Sequence, residues 1–193
     1  ILNKNILITG SSDGIGKALA IKFSKLGANI ILLGRNSDKL DQVYDQLDDS
    51  HHAQKHLILR ANLALLSNEI VQEILVAIGQ EFKVLDGIIH NAAILGTMTS
   101  LEDYDLSTWD EVMNINLRAP FLLSKSLKIM LEDASLPRLI FTSSGVASIG
   151  KAYWGAYSVS KFGVKGLAEI LAGELEATSS IRVFNFDPGA TRT

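Results

Sequence analysis

Short apolar runs alternate with longer amphipathic stretches along this chain. Asn5–Thr9, Asn29–Leu33, His56–Arg60, Leu85–His90, Arg138–Thr142 and Arg182–Phe186 are brief and largely apolar, which predicts buried strands. Between them, 14–26, 37–47, 68–81, 108–131 and 155–177 carry apolar residues at helical spacing. Apolar strands that alternate with helices imply a parallel sheet covered on both faces. Right-handed crossovers then predict a doubly wound α/β fold, with an open sheet in the order 3-2-1-4-5-6.

Local signals agree. Gly27 follows Leu26 where a helix should stop. Ser107-Thr108-Trp109-Asp110 resembles a capping box opening the fourth helix. Pro137 lies at a strand start, where no ladder donor is lost. Pro120 should kink the fourth helix or split it after Arg118. The longest apolar stretch, Asn29-Ile30-Ile31-Leu32-Leu33-Gly34, is far shorter than a membrane helix. There is no repeat, low-complexity tract or linker.

Composition narrows the class. The 193 residues suit one domain, and a 47% hydrophobic content allows a sizeable core. A net charge of -3 with scattered basic residues invites neither nucleic acid nor an anionic membrane. The absence of cysteine excludes disulfides, thiol catalysis and cysteine-ligated metal, and fits a reducing cytoplasm. The N-terminus runs straight into the first strand without a signal-peptide layout. It has no initiator methionine, so a few native residues are expected to be missing there.

The candidate chemistry begins with a glycine-rich turn. Thr9-Gly10-Ser11-Ser12-Asp13-Gly14-Ile15-Gly16 follows a strand and opens a helix. In that context Gly10, Gly14 and Gly16 let the backbone turn sharply and approach a pyrophosphate, with Ser12, Asp13 and Ile15 beside it. The helix N-terminus supplies unpaired N–H groups and partial positive charge. At the tip of the second strand, Gly34-Arg35-Asn36 stands where an NAD site carries an acidic residue. Arg35 matches a 2′-phosphate, so the expected cofactor is NADP(H) rather than NAD(H). Asn91-Ala92-Ala93 ends the fourth strand in a turn of small residues, which permits close approach to a ligand. His90 continues an apolar strand and reads as structural. His51, His52 and His56 lack a supporting carboxylate cluster and read as solvated surface, so no metal is expected.

The second constellation is a proton-transfer device. Tyr157 and Lys161 are four apart on a helix and share one face. A phenol ionises near about pH 10 and is a poor shuttle at neutrality. A neighbouring ammonium stabilises the phenolate. Ser144, thirteen residues before the tyrosine, ends the fifth strand at the sheet edge where ligands bind. Its hydroxyl can hydrogen-bond a substrate oxygen as charge develops.

These residues resemble the short-chain dehydrogenase/reductase family over the whole chain. Within it, Ser12–Gly16, Ile31–Asn36, Phe141–Ser144, Trp154–Tyr157 and Pro188–Thr193 are similar to the YciK-like bacterial oxidoreductases. The resemblance implies a Rossmann fold and hydride transfer between nicotinamide and a small carbonyl or alcohol. By it, Tyr157 is the general acid/base, Lys161 its partner and cofactor ribose ligand, and Ser144 the residue that polarises the carbonyl. Asn116 would hold a relay water behind Lys161, and Pro188, Gly189 and Thr191 would border the nicotinamide.

Asn62, before Leu63, stands where the family carries an aspartate facing the adenine, and Ala93 where it carries glycine. The family continues past the Pro-Gly turn into a substrate loop, more helices and a seventh strand. Residues 1–193 are therefore expected to be one NADP(H)-binding domain lacking those segments. A homodimer or homotetramer is implied, paired through the fourth and fifth helices; the dimer is favoured because the second interface uses the seventh strand.

Two rival functions share these residues. A basic patch for a carrier protein would favour a ketoacyl-thioester reductase of lipid synthesis, with the scattered Arg118, Lys125 and Lys128 of the fourth helix as candidates. A dinucleotide-binding sensor would bind cofactor without turnover. The complete Asn116, Ser144, Tyr157 and Lys161 set argues against the sensor.

Overall fold

The computed structural model describes residues 1–50 and 54–191. Six parallel strands form one sheet in the order β3-β2-β1-β4-β5-β6. They are β1 (Asn5–Thr9), β2 (Asn29–Gly34), β3 (His56–Arg60), β4 (Gly87–His90), β5 (Arg138–Thr142) and β6 (Arg182–Phe186). The helices are α1 (Gly14–Ser24), α2 (Ser37–Tyr44), α3 (Asn68–Glu81), α4 (Leu106–Met113), α5 (Ala119–Glu132) and α6 (Gly155–Glu176).

Because strand side chains alternate, the sheet buries two separate cores. Ile6, Ile8, Ile30, Leu32 and Ile89 pack against Ala20 of α1 and Leu40 and Val43 of α2. Leu7, Ile31, Leu33, Ile88, Leu139 and Phe141 face the opposite way, into a larger cluster with α3, α5 and α6. The first face is covered unevenly. Ile89, Ile140 and Phe184 are in register across β4, β5 and β6. Ile140 is half-buried, while Phe184 and Phe186 are 48% and 55% exposed.

Gly27 terminates the first helix. It has a φ of +84, its N–H donates to Ser24 O, and Ala28 N–H donates to Phe23 O. This is the paired bonding of a Schellman end.

The capping box at Ser107 is corrected by the structure. Asp105 is the N-cap of α4, accepting from Thr108 N–H at 2.8 Å, so the helix starts earlier and the motif lies inside its first turn. A carboxylate two positions upstream outcompetes the serine hydroxyl for the open N–H groups.

The long fourth helix is divided. Between α4 and α5, Asn114–Arg118 form a π-type stretch, closed by Ala119 N–H donating to Asn114 O. α5 begins directly after Arg118, with Pro120 in its first turn.

His51 and His52 fall outside the described residues. His56 is not solvated surface. Its Nδ1 accepts from Ile30 N–H at 3.1 Å, its ring is edge-on to Tyr44, and it is half-buried at the first position of β3. His90 is buried at the end of β4, stacked on Phe141 at 4.8 Å and bonded through Nε2 to Ser124 Oγ at 2.8 Å. Burial pushes its ionisation down from 6.5 to about 3, so the imidazole is neutral in the folded chain.

The unfolded chain therefore binds a proton that the folded chain refuses between about pH 6.5 and 3. This contribution to stability is complete above that window and is lost as pH falls through it. Denaturant unfolding should lose up to about 1.4 kcal/mol per pH unit there from this one group. His90→Gln should flatten that slope; an unchanged slope would contradict the assignment.

Candidate functional site

β1 is the pivot of the sheet, with β2 on one side and β4 on the other. Crossovers leave it in opposite directions, so a crevice opens at the carboxyl ends of β1 and β4. Its floor is made by backbones in close contact. Gly10 has a φ of +65, and a Cβ there would lie 2.7 Å from Ala92 Cα. A Cβ on Gly16 would meet Gly10 O and lie 2.7 Å from Asn91 Nδ2. Gly14 also has a positive φ, of +51. Thr9 fastens the two tips together. Its buried Oγ1 accepts from Asn91 N–H and Ala92 N–H, each at 3.0 Å. The Asn91 amide returns two longer bonds to Thr9 O and Gly10 O, both at 3.4 Å.

The resulting cleft has a volume of about 590 Å³. Gly10, Ser12, Asp13, Gly14 and Ile15 line it from the glycine turn. Arg35 closes one side, Asn62 and Leu63 another, and Asn91, Ala92, Ala93, Ile94 and Ile115 the remainder. Gly16 is buried beneath it. Ala93 is exposed and is not among the residues with positive φ, so its methyl imposes no backbone strain. Asn62 Oδ1 accepts from Ala64 N–H at 3.1 Å and caps the 3-10 turn that places Leu63. The missing side chains at Gly10 and Gly16 and the N-terminus of α1 fit a dinucleotide pyrophosphate.

Arg35 is largely exposed, and its Nη1 lies 3.8 Å from Glu111 Oε1. Such a long, solvated pair holds the guanidinium only weakly. A second cation was missed by reading the sequence. Lys39, in the first turn of α2, donates to Asp13 Oδ2 at 2.6 Å. Asp13 also caps α1 through Gly14 N–H, and these partners, Lys39 first, hold its carboxyl below the usual range. Lys39 thereby offsets a carboxylate that lines the cleft. The available signal was a lysine four residues beyond Arg35, without indication of its partner.

The second cluster lies along the same sheet edge, where α6 crosses the end of β5. Lys161 is buried, and its Nζ donates to Thr142 O at 2.7 Å. It stands 5.6 Å from the centre of the Tyr157 ring. One turn earlier, Ser158 Oγ donates to Val146 O at 3.1 Å. Ser144 is held between these two attachments, in extended conformation at the start of a 3-10 turn. Lys161 is thus brought beside Tyr157 and against the segment that carries Ser144. Burial lowers the Lys161 ionisation from 10.5 to about 8, and the Asp187 carboxylate opposes that shift.

Asn116 is buried in the π-type stretch and reaches toward the same helix. Its amide accepts from Ile94 N–H at 2.9 Å, and donates to Ile94 O at 2.9 Å and to Ser160 Oγ at 3.0 Å. Its side chain therefore ties the cleft wall to α6. Pro188, Gly189 and Thr191 follow β6, separate from the 590 Å³ cleft. Gly189, with a φ of +68, donates to Asp187 Oδ1 at 2.9 Å. Among the described residues no cluster of three or more histidines, aspartates or glutamates could hold a metal ion. No helix among them is long and apolar enough to cross a membrane.

Comparison with known proteins agrees with this geometry. The family described as short chain dehydrogenase matches residues 4–193. The oxidoreductase YciK of Escherichia coli is 37% identical over 188 residues, covering 97% of this chain and 73% of that protein. A short chain dehydrogenase of Salmonella enterica subsp. enterica serovar Typhi superposes with a TM-score of 0.94 at 38% identity, over 100% of this chain and 78% of that one. A short chain dehydrogenase of Shigella flexneri in complex with NADP superposes with a TM-score of 0.91 at 37% identity, over 97% of this chain and 78% of that one.

The Thr9 clamp has a measurable consequence. Thr9→Val keeps the shape but removes the acceptor of two N–H groups. Denaturant unfolding should show a loss of about 2–4 kcal/mol, and an unchanged midpoint would mean that the hydroxyl does not hold the strand tips.

Proposed function

Since this chain belongs to the short chain dehydrogenase family, we propose that it is an NADP(H)-dependent oxidoreductase that interconverts a carbonyl compound and its alcohol. The observation that carries the reading is the buried Lys161, pinned beside the Tyr157 ring and next to Ser144, on the sheet edge where the dinucleotide-shaped cleft opens.

When bound, NADPH supplies the hydride from C4 of its nicotinamide. The residues of the chain do the rest. The glycine turn and the N-terminus of α1 receive the pyrophosphate. Arg35 takes the 2′-phosphate, while Lys39 offsets the Asp13 carboxylate that would otherwise repel it. Asn62, Leu63, Asn91, Ala92 and Ala93 enclose the adenosine side, while Pro188, Gly189 and Thr191 border the nicotinamide. Ser144 donates a hydrogen bond to the substrate oxygen. Tyr157 gives its hydroxyl proton to that oxygen as the carbon accepts hydride, and the phenolate is reprotonated from solvent. The Lys161 ammonium favours the phenolate and binds the cofactor ribose. Asn116 ties the cleft wall to α6 and takes the role of holding a relay water behind Lys161.

The NADP complex of the Shigella flexneri relative supports this cofactor. Two of the three cations that would form a carrier-protein patch are already engaged, which weakens the ketoacyl-thioester reading. Arg118 donates to Leu66 O at 2.6 Å, and Lys128 pairs with Glu132.

The same reading places the protein in the cytoplasm as a dimer. Exposed Phe121 and Ile129 on α5, and Phe162 and Ile170 on α6, support helix pairing between two copies. It also takes residues 1–193 as one NADP(H)-binding domain, with the substrate loop and a last strand lying outside them. The bare apolar side chains of Phe184 and Phe186 support a cover of that kind.

Titration should show NADPH binding more tightly than NADH. Arg35→Ala should weaken NADPH at least tenfold with little change for NADH, and equal losses would overturn the phosphate assignment. Tyr157→Phe should lower kcat by about 10²–10⁴ with NADPH affinity retained. Lys161 loses its charge as pH rises through about 8. The kcat/KM of carbonyl reduction should therefore fall above that pH, and Asp187→Asn should move the fall to lower pH. A profile indifferent to Asp187 would contradict that role.

A further inference from the structure

Tyr104 lies outside the cleft and outside the Ser144, Tyr157 and Lys161 cluster, and no motif accounts for it. Its ring fills the space between two glycines on separate segments. A methyl group on Gly155, the first residue of α6, would lie 2.6 Å from Tyr104 Cδ2. One on Gly96, after β4, would lie 2.5 Å from Tyr104 Oη and 2.7 Å from Val112 Cγ2. Both glycines have positive φ, +29 and +70. The Tyr104 hydroxyl accepts from Thr97 N–H at 3.3 Å, and the ring meets Trp109 edge-on at 5.7 Å. A single side chain therefore touches the segment after β4 and the first turn of α6 together.

A second connection joins the same two segments. Ile94 lines the cleft, and its backbone is bonded to Asn116, which also reaches Ser160 on α6. Tyr104 repeats the connection further out, from Gly96 and Thr97 to Gly155. Tyr157 stands two residues beyond Gly155, between the two attachments. The glycines are small because the ring needs both spaces, so segment, ring and helix start are fixed as one unit.

We propose that Tyr104 is a positioning residue for the Tyr157 acid, its ring setting the distance between the first turn of α6 and the cleft wall. The inference rests on the hydride-transfer reading above. Its expected effect falls on the chemical step, because displacement of a reacting group by about 1 Å can cost about a hundredfold in rate. Cofactor binding should be spared, since Tyr104 is not among the residues lining the cleft.

The test compares Tyr104→Phe and Tyr104→Ala with the parent protein and Tyr157→Phe. The probes are NADPH and a panel of aldehydes, ketones and a β-ketoacyl thioester. Tyr104→Phe keeps the ring and should stay within about threefold of the parent kcat. Tyr104→Ala should lower kcat at least tenfold, with the NADPH Kd within about twofold. A parent-like kcat in Tyr104→Ala, an equal loss in Tyr104→Phe, or a matching loss of NADPH binding would each overturn the proposal. If Tyr104→Ala does not fold, Gly155→Ala presses a methyl against the intact ring, and the same loss confined to kcat is expected. Hydrogen exchange gives an answer independent of turnover. The first-turn amides of α6, including Ser158, which donates to Trp154 O, should exchange faster in Tyr104→Ala and not in Tyr104→Phe. Absence of turnover in the parent would sink the hydride-transfer reading, and the exchange rates would still decide whether Tyr104 holds the helix.

Discussion

The close approach of backbone to backbone at the tips of β1 and β4 is the constraint from which the site follows. Gly10 lies against Ala92, and Gly16 against Gly10 O and the Asn91 amide. A methyl group at Gly10 or Gly16 would force the glycine turn away from the β4 tip. Held close, the N-terminus of α1 lines the crevice created by the strand order. Thr9 makes the contact specific, because its hydroxyl satisfies two N–H groups that the end of the β4 ladder leaves open. The buried strands of β1, β2 and β4 give this edge a rigid base.

The Ser144, Tyr157 and Lys161 cluster is assembled by a different device, the crossing of α6 over the end of β5. Two side-chain bonds, from Lys161 and Ser158, reach the backbone on either side of Ser144. The serine is thus placed by its neighbours. Burial of an ammonium is costly, and here it is offset by Thr142 O and the charge of Asp187. The π-type stretch at Asn114–Arg118 belongs to the same design. It turns Asn116 inward, where its amide joins the segment after β4 to α6. The two halves of the site are therefore coupled by side chains that belong to neither motif.

The strands and their order were legible because each is an apolar run bounded by turn residues, and that pattern survives without any knowledge of partners. The glycine turn was legible for a related reason, since its meaning depends on a strand before it and a helix after it. What could not be read depends on pairs far apart in sequence. Lys39 matters because of Asp13, and Thr9 because of Asn91 and Ala92. His56 looked like surface until its ring nitrogen was found on Ile30 N–H. Pro120 marked the division of the long helix, but nothing local announced the π-type turn before it. The start of α4 was misplaced because Ser107 and Asp105 are both good caps, and only the geometry decides between them.

The proposed reaction is hydride transfer at the edge of this sheet. It is tested most directly with NADPH carrying deuterium at C4 of the nicotinamide, incubated with the carbonyl of the panel that turns over fastest. The account predicts deuterium on the carbinol carbon of the product and none from labelled solvent at that position. A product labelled from solvent at that carbon, or NADPH bound without any transfer to a carbonyl, would contradict it.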